Sequence, residues 1–274
     1  MEPLKIVVRG GGDLATGTIH RLWSAGFRVL VLECAQPSAI RHQVALSDAV
    51  YEGKVEFEGL SGVLIADSNE AEAIWKQGKV PVLVDEDGSS LGELKPDVVV
   101  DAIIAKKNLG TTKAMAPLTI ALGPGFEAGV DVDYVVETKR GHNLGRIIKE
   151  GFAVPNSGVP GIIAGYGKER VLHAEAEGVL HVIHDIGEVV EKEQVIAEIA
   201  TPTGKVPVLA TLTGLIRGMI RDGFYVTKGF KIADIDPRKE ELANCYTISD
   251  KARCIAGSVL ELVCRFQNER LSKC

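Results

Sequence analysis

Residues Lys5–Gly17 read KIVVRGGGDLATG, and the way this stretch folds decides the first half of the 274-residue chain. LKIVVRG is a short apolar run rich in β-branched residues, suited to a strand buried on both faces. Glycines follow, and then ATGTIHRLWSAG places Ile19, Leu22 and Trp23 at helical spacing before Gly26 stops the helix. FRVLVLE is the next strand and ends in Glu33. The first 33 residues therefore predict a β-α-β unit with a right-handed crossover and parallel strands.

The loop inside that unit carries candidate chemistry. Gly10, Gly12 and Ala15 satisfy G-x-G-x-x-(G/A) between a strand and a helix, with Glu33 about twenty residues on. Glycines at 10, 11 and 12 let backbone N–H groups approach an anion at a helix N-terminus, where the dipole favours negative charge. Glu33 could accept hydrogen bonds from a ribose. Arg9 and Asp13 bracket the phosphate position and weigh against plain nicotinamide use. The alternative is a tight turn that binds nothing, because a fold alone does not prove a function.

Outward from this unit, strand-like runs recur at GVLIAD (62–67), VPVLVD (80–85), PDVVVDAIIA (96–105), PLTIALG (117–123) and DYVVET (133–138), with a helix, NEAEAIWKQG, between the first two. That alternation predicts an α/β fold, a Rossmann-like doubly wound parallel sheet over residues 1–150. From Gly151 the chain becomes rich in Gly and Pro. GEVVEKEQVIAEI (187–199) and GFYVTKGFKIADI (223–235) then echo each other and resemble the half-units of a biotinyl/lipoyl-type barrel-sandwich, a second, mostly-β domain over 151–240. Its carrier position would be Lys205 in ATPTGKVPV, but flanking prolines favour a scaffold over a swinging carrier. Residues 241–274 form a C-terminal helical segment capped at Ser249.

Composition narrows the partners. Thirty-one basic against 37 acidic residues, with no basic run, argue against nucleic acid. No apolar run reaches 18 residues, and MEPLKIVV lacks the features of a secretory signal, so a cytoplasmic protein without a membrane span is expected. The cysteines, 34, 245, 254, 264 and 274, are odd in number and lack a CxxC pair, which suits reduced thiols better than a metal site. Assembly of identical chains is left open.

Loops beyond the carboxyl ends of parallel strands line the ligand crevice of such a sheet. Three of them join the glycine loop as candidates. DAIIAKKNLGTT offers Lys106, Lys107 and Asn108, and LGPGF offers Gly123 and Gly125 for a close backbone approach. ETKRGHNLGRII gathers Glu137, Arg140, Asn143 and Arg146 around His142, the one plausible proton carrier nearby. His142 and Arg140 are the catalytic candidates, and PNSGVPG (155–161) is a candidate closing segment.

Taken together, VVRGGGDLATG, ALSDAVYEG, DAIIAKKNLGT, LGPGF, ETKRGHNLGR, PNSGVPG, KIADIDPR and ISDKA resemble the YqeB family, associated with the selenium-dependent molybdenum hydroxylase system. The resemblance implies an accessory role in maturing a molybdenum hydroxylase. It also implies partners in that machinery, and a small anionic cofactor, a molybdopterin-type molecule or a dinucleotide, in the crevice. The competing expectations are an NAD(P)-dependent oxidoreductase and a biotin/lipoyl-type carrier or docking module.

Overall fold

The computed structural model describes residues 3–158 and 161–272. The chain forms two compact units: Met1–Pro37, Ala45–Ser157 and Ile248–Cys274 make the first, and Ser38–Val44 with Gly158–Thr247 make the second.

The first unit is built on a sheet of β1 (Lys5–Arg9), β2 (Arg28–Glu33), β3 (Lys54–Phe57), β4 (Leu60–Ile65), β5 (Val80–Val84), β6 (Val98–Asp101), β7 (Leu118–Leu122), β9 (Tyr134–Val136) and β10 (Ile147–Ile148). β8 (Glu127–Ala128) pairs separately with β11 (Gly151–Phe152). Spatial order is β10-β9-β7-β6-β1-β2-β5-β4-β3. The seven inner strands run parallel, and both edges, β10 on β9 and β3 on β4, are antiparallel.

Both faces of the inner strands are covered, which is why they read as nearly continuous apolar runs. Ile6, Val8, Val29, Val31, Val98 and Val100 pack with residues of α1 (Asp13–Ser24) and α5 (Asp250–Leu271). Val7, Leu30, Leu32 and Val99 pack on the other face with residues of α3 (Ala71–Lys76) and α4 (Leu91–Leu94). A short α2 (Ala49–Glu52) lies before β3. α1 buries Ala15, Ile19 and Leu22, four and three residues apart on one stripe. Ser249 caps α5 by accepting from the Ala252 N–H at 3.2 Å. The two helices meet at Gly17, where a Cβ would lie 2.7 Å from the Ala252 Cβ. Glycine costs about 1 kcal/mol inside a helix, and here it permits the crossing.

The fold class expected from sequence is corrected on two points. The sheet is mixed rather than parallel throughout: a hairpin through Glu58 and Gly59, both at positive φ, folds β3 back on β4 at one edge, and β10 returns against β9 at the other. β6 also stops at Asp101, four residues short of the expected run.

The second unit holds β12 (Val171–His173), β13 (Gly178–Val182), β14 (Val189–Val190), β15 (Val195–Thr201), β16 (Gly204–Leu209), β17 (Gly214–Met219), β18 (Tyr225–Val226) and β19 (Lys231–Asp236). They form two four-stranded antiparallel sheets, β12-β19-β17-β14 and β16-β15-β13-β18. Their apolar positions, among them Leu180, Ile196, Ile199, Ile216, Ile232 and Ile235, make one core. No strand ladder among the described residues joins the two sheets, and the unit also draws in 38–44 from the first half of the chain. The expected barrel-sandwich domain is therefore replaced by this pair of sheets. The carrier expectation falls too: Lys205 lies within β16, opposite Ala200, with its Nζ 2.7 Å from Glu198. Among the described residues, no helix is long and apolar enough to cross a membrane.

Candidate functional site

From β1 the chain first builds β2, β5 and β4 on one side, then returns to place β6, β7 and β9 on the other. Strand order reverses at β1 and β6, and in open α/β sheets such a reversal opens a crevice beyond the carboxyl ends of the strands. Arg9 and Asp101 are the last residues of these strands and are register partners.

Their side chains share one buried cluster. Arg9 is only 2% exposed; its Nη1 donates to Thr111 Oγ1 at 2.5 Å and its Nη2 to the Glu86 carbonyl at 2.8 Å. The Thr111 hydroxyl donates to Asp101 Oδ2 at 2.6 Å, and Asp101 Oδ1 accepts from the Ile103 N–H at 3.2 Å. Burial pushes the Asp101 carboxyl above the usual carboxylate range, although Thr111, Ile103 and Arg9 all pull it back. The loop that brings Thr111 here is shaped by Asn108, whose Oδ1 accepts from the N–H groups of Gly110 and Thr111 while its Nδ2 donates to the Thr111 carbonyl. The same loop holds Ile104 and Lys106 at φ 59° and 63°. A β-branched residue at such a φ is a genuine outlier, and such strain clusters at functional sites.

The glycines have different tasks. Gly10, at φ +90°, packs so closely on the β6 loop that a Cβ would stand 2.8 Å from Ile103 Cα, and Gly11 does the same against the Ser47 N. Gly125 admits the Lys107 backbone and Gly123 admits Thr138, so these two knit neighbouring loops together. Gly12 stands alone. Its φ of −62° suits any residue, a Cβ there would meet nothing within 4 Å, and it caps α1 without a side chain.

Several expected ligand groups turn out to be engaged within the chain. Glu33 accepts from the Gly11 N–H at 2.7 Å and from the Cys34 N–H at 2.8 Å, which corrects its expected ribose role. Cys34, half-buried beside it, is pushed up to about 11 by burial and by the Glu33 charge. Glu137 is buried and accepts from the backbone of Lys139 and Val154. Arg140 makes a two-bond pair with Asp250 at 2.8 Å rather than standing open to an oxyanion. Lys106, Lys107, His142, Asn143 and Arg146 are on the surface or near it, and no hydrogen bond among the described residues orients the His142 ring. Asp13 opens α1. Of PNSGVPG, residues 159 and 160 lie outside the described residues, as does Cys274. Among the described residues, no group of three or more His, Cys, Asp or Glu side chains is placed to hold a metal ion.

Sequence reasoning passed over Asp101 and Thr111. Asp101 carried a signal, an acid closing an apolar strand beside Arg9 once parallel pairing is assumed. Thr111 carried none, because only the fold of its loop brings it there.

The chain is 49% identical over 256 residues to the uncharacterized protein YqeB of Escherichia coli (strain K12), a match covering 93% of this chain and 46% of that protein. That identity supports the YqeB family. The chain spans about half the length of this curated relative. No family model matches. Solved structures with some likeness include the ectoine utilization protein EutE (DoeB) from Ruegeria pomeroyi, with a TM-score of 0.27 and 11% identity over 85% of this chain and 86% of that one. A succinylglutamate desuccinylase/aspartoacylase from Rhodobacter sphaeroides has a TM-score of 0.28 and 14% identity, covering 85% of each chain. Likeness this slight carries nothing about activity across to this chain. The expected role in molybdenum hydroxylase maturation, with a molybdopterin-type or dinucleotide cofactor, is nevertheless corrected. The chain itself commits Glu33 and Arg140, two residues of the expected cofactor site, to partners within the fold.

Proposed function

We propose that this chain binds a small anionic molecule at the start of α1, on the carboxyl edge of the sheet. Gly12 is the observation that carries the reading. Gly10, Gly11, Gly123 and Gly125 are each required by a neighbouring segment, whereas neither a close neighbour nor a positive φ requires a glycine at 12. A molecule lying against the backbone would require it, because the first turn of α1 has no side-chain cap and leaves its N–H groups to another acceptor. Glu33 takes up the Gly11 N–H and leaves the helix start itself to the ligand. The buried Arg9–Thr111–Asp101 cluster and the strained loop over it fix the neighbouring wall.

Titration of the full chain with inorganic phosphate and pyrophosphate tests the reading. Saturable binding is expected, with a gain of about 2.7 kcal/mol in stability at 100 times the dissociation constant. Gly12→Val should abolish that gain while keeping the fold, because its Cβ meets open space. No saturable binding, or binding unchanged in Gly12→Val, overturns it.

A further inference from the structure

The crossovers into β2 and β5 end alike. WSAG (23–26) closes α1 and WKQG (75–78) closes α3, and in each the glycine N–H donates to the tryptophan carbonyl at 2.9 Å before the chain enters its strand. Gly26 and Gly78 both take the positive φ that such a helix stop needs. β2 and β5 are parallel neighbours, so the two turns set Trp23 and Trp75, the chain's two tryptophans, at the amino edge of the sheet. Both line a cavity of about 260 Å³, together with Arg28, Glu72, Lys76 and Lys79. The indoles are held in place: Trp23 Nε1 donates to the Gly78 carbonyl and Trp75 Nε1 to the Val29 carbonyl, both at 2.7 Å. With their N–H groups committed and their rings only partly buried, they have π faces to offer a ligand.

The charge around the cavity is positive. The guanidinium carbon of Arg28 stands 5.8 Å from the Trp75 ring centroid, and Arg28 Nη1 donates to Glu72 Oε2 at 3.2 Å. Lys76 Nζ stands 4.0 Å from Glu72 Oε1, and Lys79 Nζ donates to Gln77 Oε1 at 2.8 Å; an ammonium has further donors for an anion. Arg28, Lys76 and Lys79 thus face one carboxylate. The carbonyl ends of α1 and α3 add about half a negative charge each, which does not cancel the excess. A cavity of about 150 Å³ holds benzene, so this one has room for a ring and a small charged substituent. We propose that it binds a small planar aromatic carboxylate, the ring against the indoles and the carboxylate toward the cations. This site is separate from the anion site at the start of α1 and does not rest on it.

Tryptophan fluorescence of the full chain is the readout, since both indoles line the cavity, and benzoate is the probe. Benzoate should change the emission saturably. Benzamide keeps the ring without the charge, and cyclohexanecarboxylate keeps the charge without the flat ring; each should bind at least about tenfold more weakly. Trp23→Leu, read through Trp75, and Lys79→Gln should each weaken benzoate by about tenfold, with thermal melts showing both variants folded. No saturable change with benzoate, equal binding of either analogue, or unchanged affinity in both folded variants overturns the proposal. Saturable binding of tetramethylammonium in place of benzoate also overturns it, because the indoles would then form a cage for cations.

Discussion

Thr111→Val isolates the buried cluster at the junction of β1 and β6. Valine keeps the shape of threonine, so no cavity opens, and Asn108 holds the loop through the Thr111 backbone, which the change leaves alone. What is lost is one hydroxyl with two charge-assisted bonds, from Arg9 and to Asp101, at a residue that is fully buried. Hydrogen bonds to charged groups contribute roughly 1.5–3 kcal/mol each, so the loss should be about 3–5 kcal/mol at neutral pH. For a chain of this size that lowers Tm by about 10 °C.

The pH dependence follows from Asp101. Its folded carboxyl already lies above the ordinary value, so its contribution to stability is full below about pH 4 and is lost as pH rises through the folded pKa. Removing Thr111 takes away a bond that favoured the carboxylate and raises that pKa further. The deficit of the variant should therefore be largest at pH 7 and shrink toward pH 4. Urea denaturation of wild type, Thr111→Val and Thr111→Ser across this range measures it, with serine expected to restore most of the loss. A deficit below about 1 kcal/mol, or one that grows toward acid, would refute the reasoning.

Gly10→Ala should destabilise the fold by about 2–4 kcal/mol, from its left-handed φ and the Ile103 overlap, whereas Gly12→Ala should cost under about 1 kcal/mol; thermal melts compare them. Burial raises the Glu58 carboxyl, but the Ile248 N–H and Arg253 outweigh it and hold it low. Its stability is thus present above about pH 4.5 and lost as pH falls through the folded value, so Glu58→Gln should cost about 1 kcal/mol at pH 7 and little at pH 3, read by denaturant titration. Alkylation at pH 8 should modify the exposed Cys254 well before Cys34, whose thiol is pushed up to about 11, and mass mapping decides it.

Much of the first unit was legible. The apolar runs at β1, β2, β5, β6 and β7 announced strands covered on both faces, and the stripe on α5 with Ser249 before it announced a docked, capped helix. The edge strands were harder. β3 carries Lys54, Val55, Glu56 and Phe57, an alternation too short to separate from loop, and its hairpin turns at Glu58, a residue that rarely takes positive φ. The candidate site was legible as a place rather than as a set of side chains. Glu33, Glu137 and Arg140 were expected to face a ligand because of their types, yet each is held by N–H groups or a carboxylate that only the folded chain brings near.

By itself the sequence determined the β-α-β start, the covered parallel core and the loops that meet at its carboxyl edge, because periodicity and glycine placement are local properties of the chain. The tertiary structure decided which of those loop residues remain for a ligand. Hydrogen bonds across separations as long as the 102 residues from Arg9 to Thr111 depend on strand order, which no local pattern encodes. In KIVVRGGGDLATG the fold itself demands the glycines at 10 and 11, through the close approach of Ile103 and Ser47, and makes no such demand at 12.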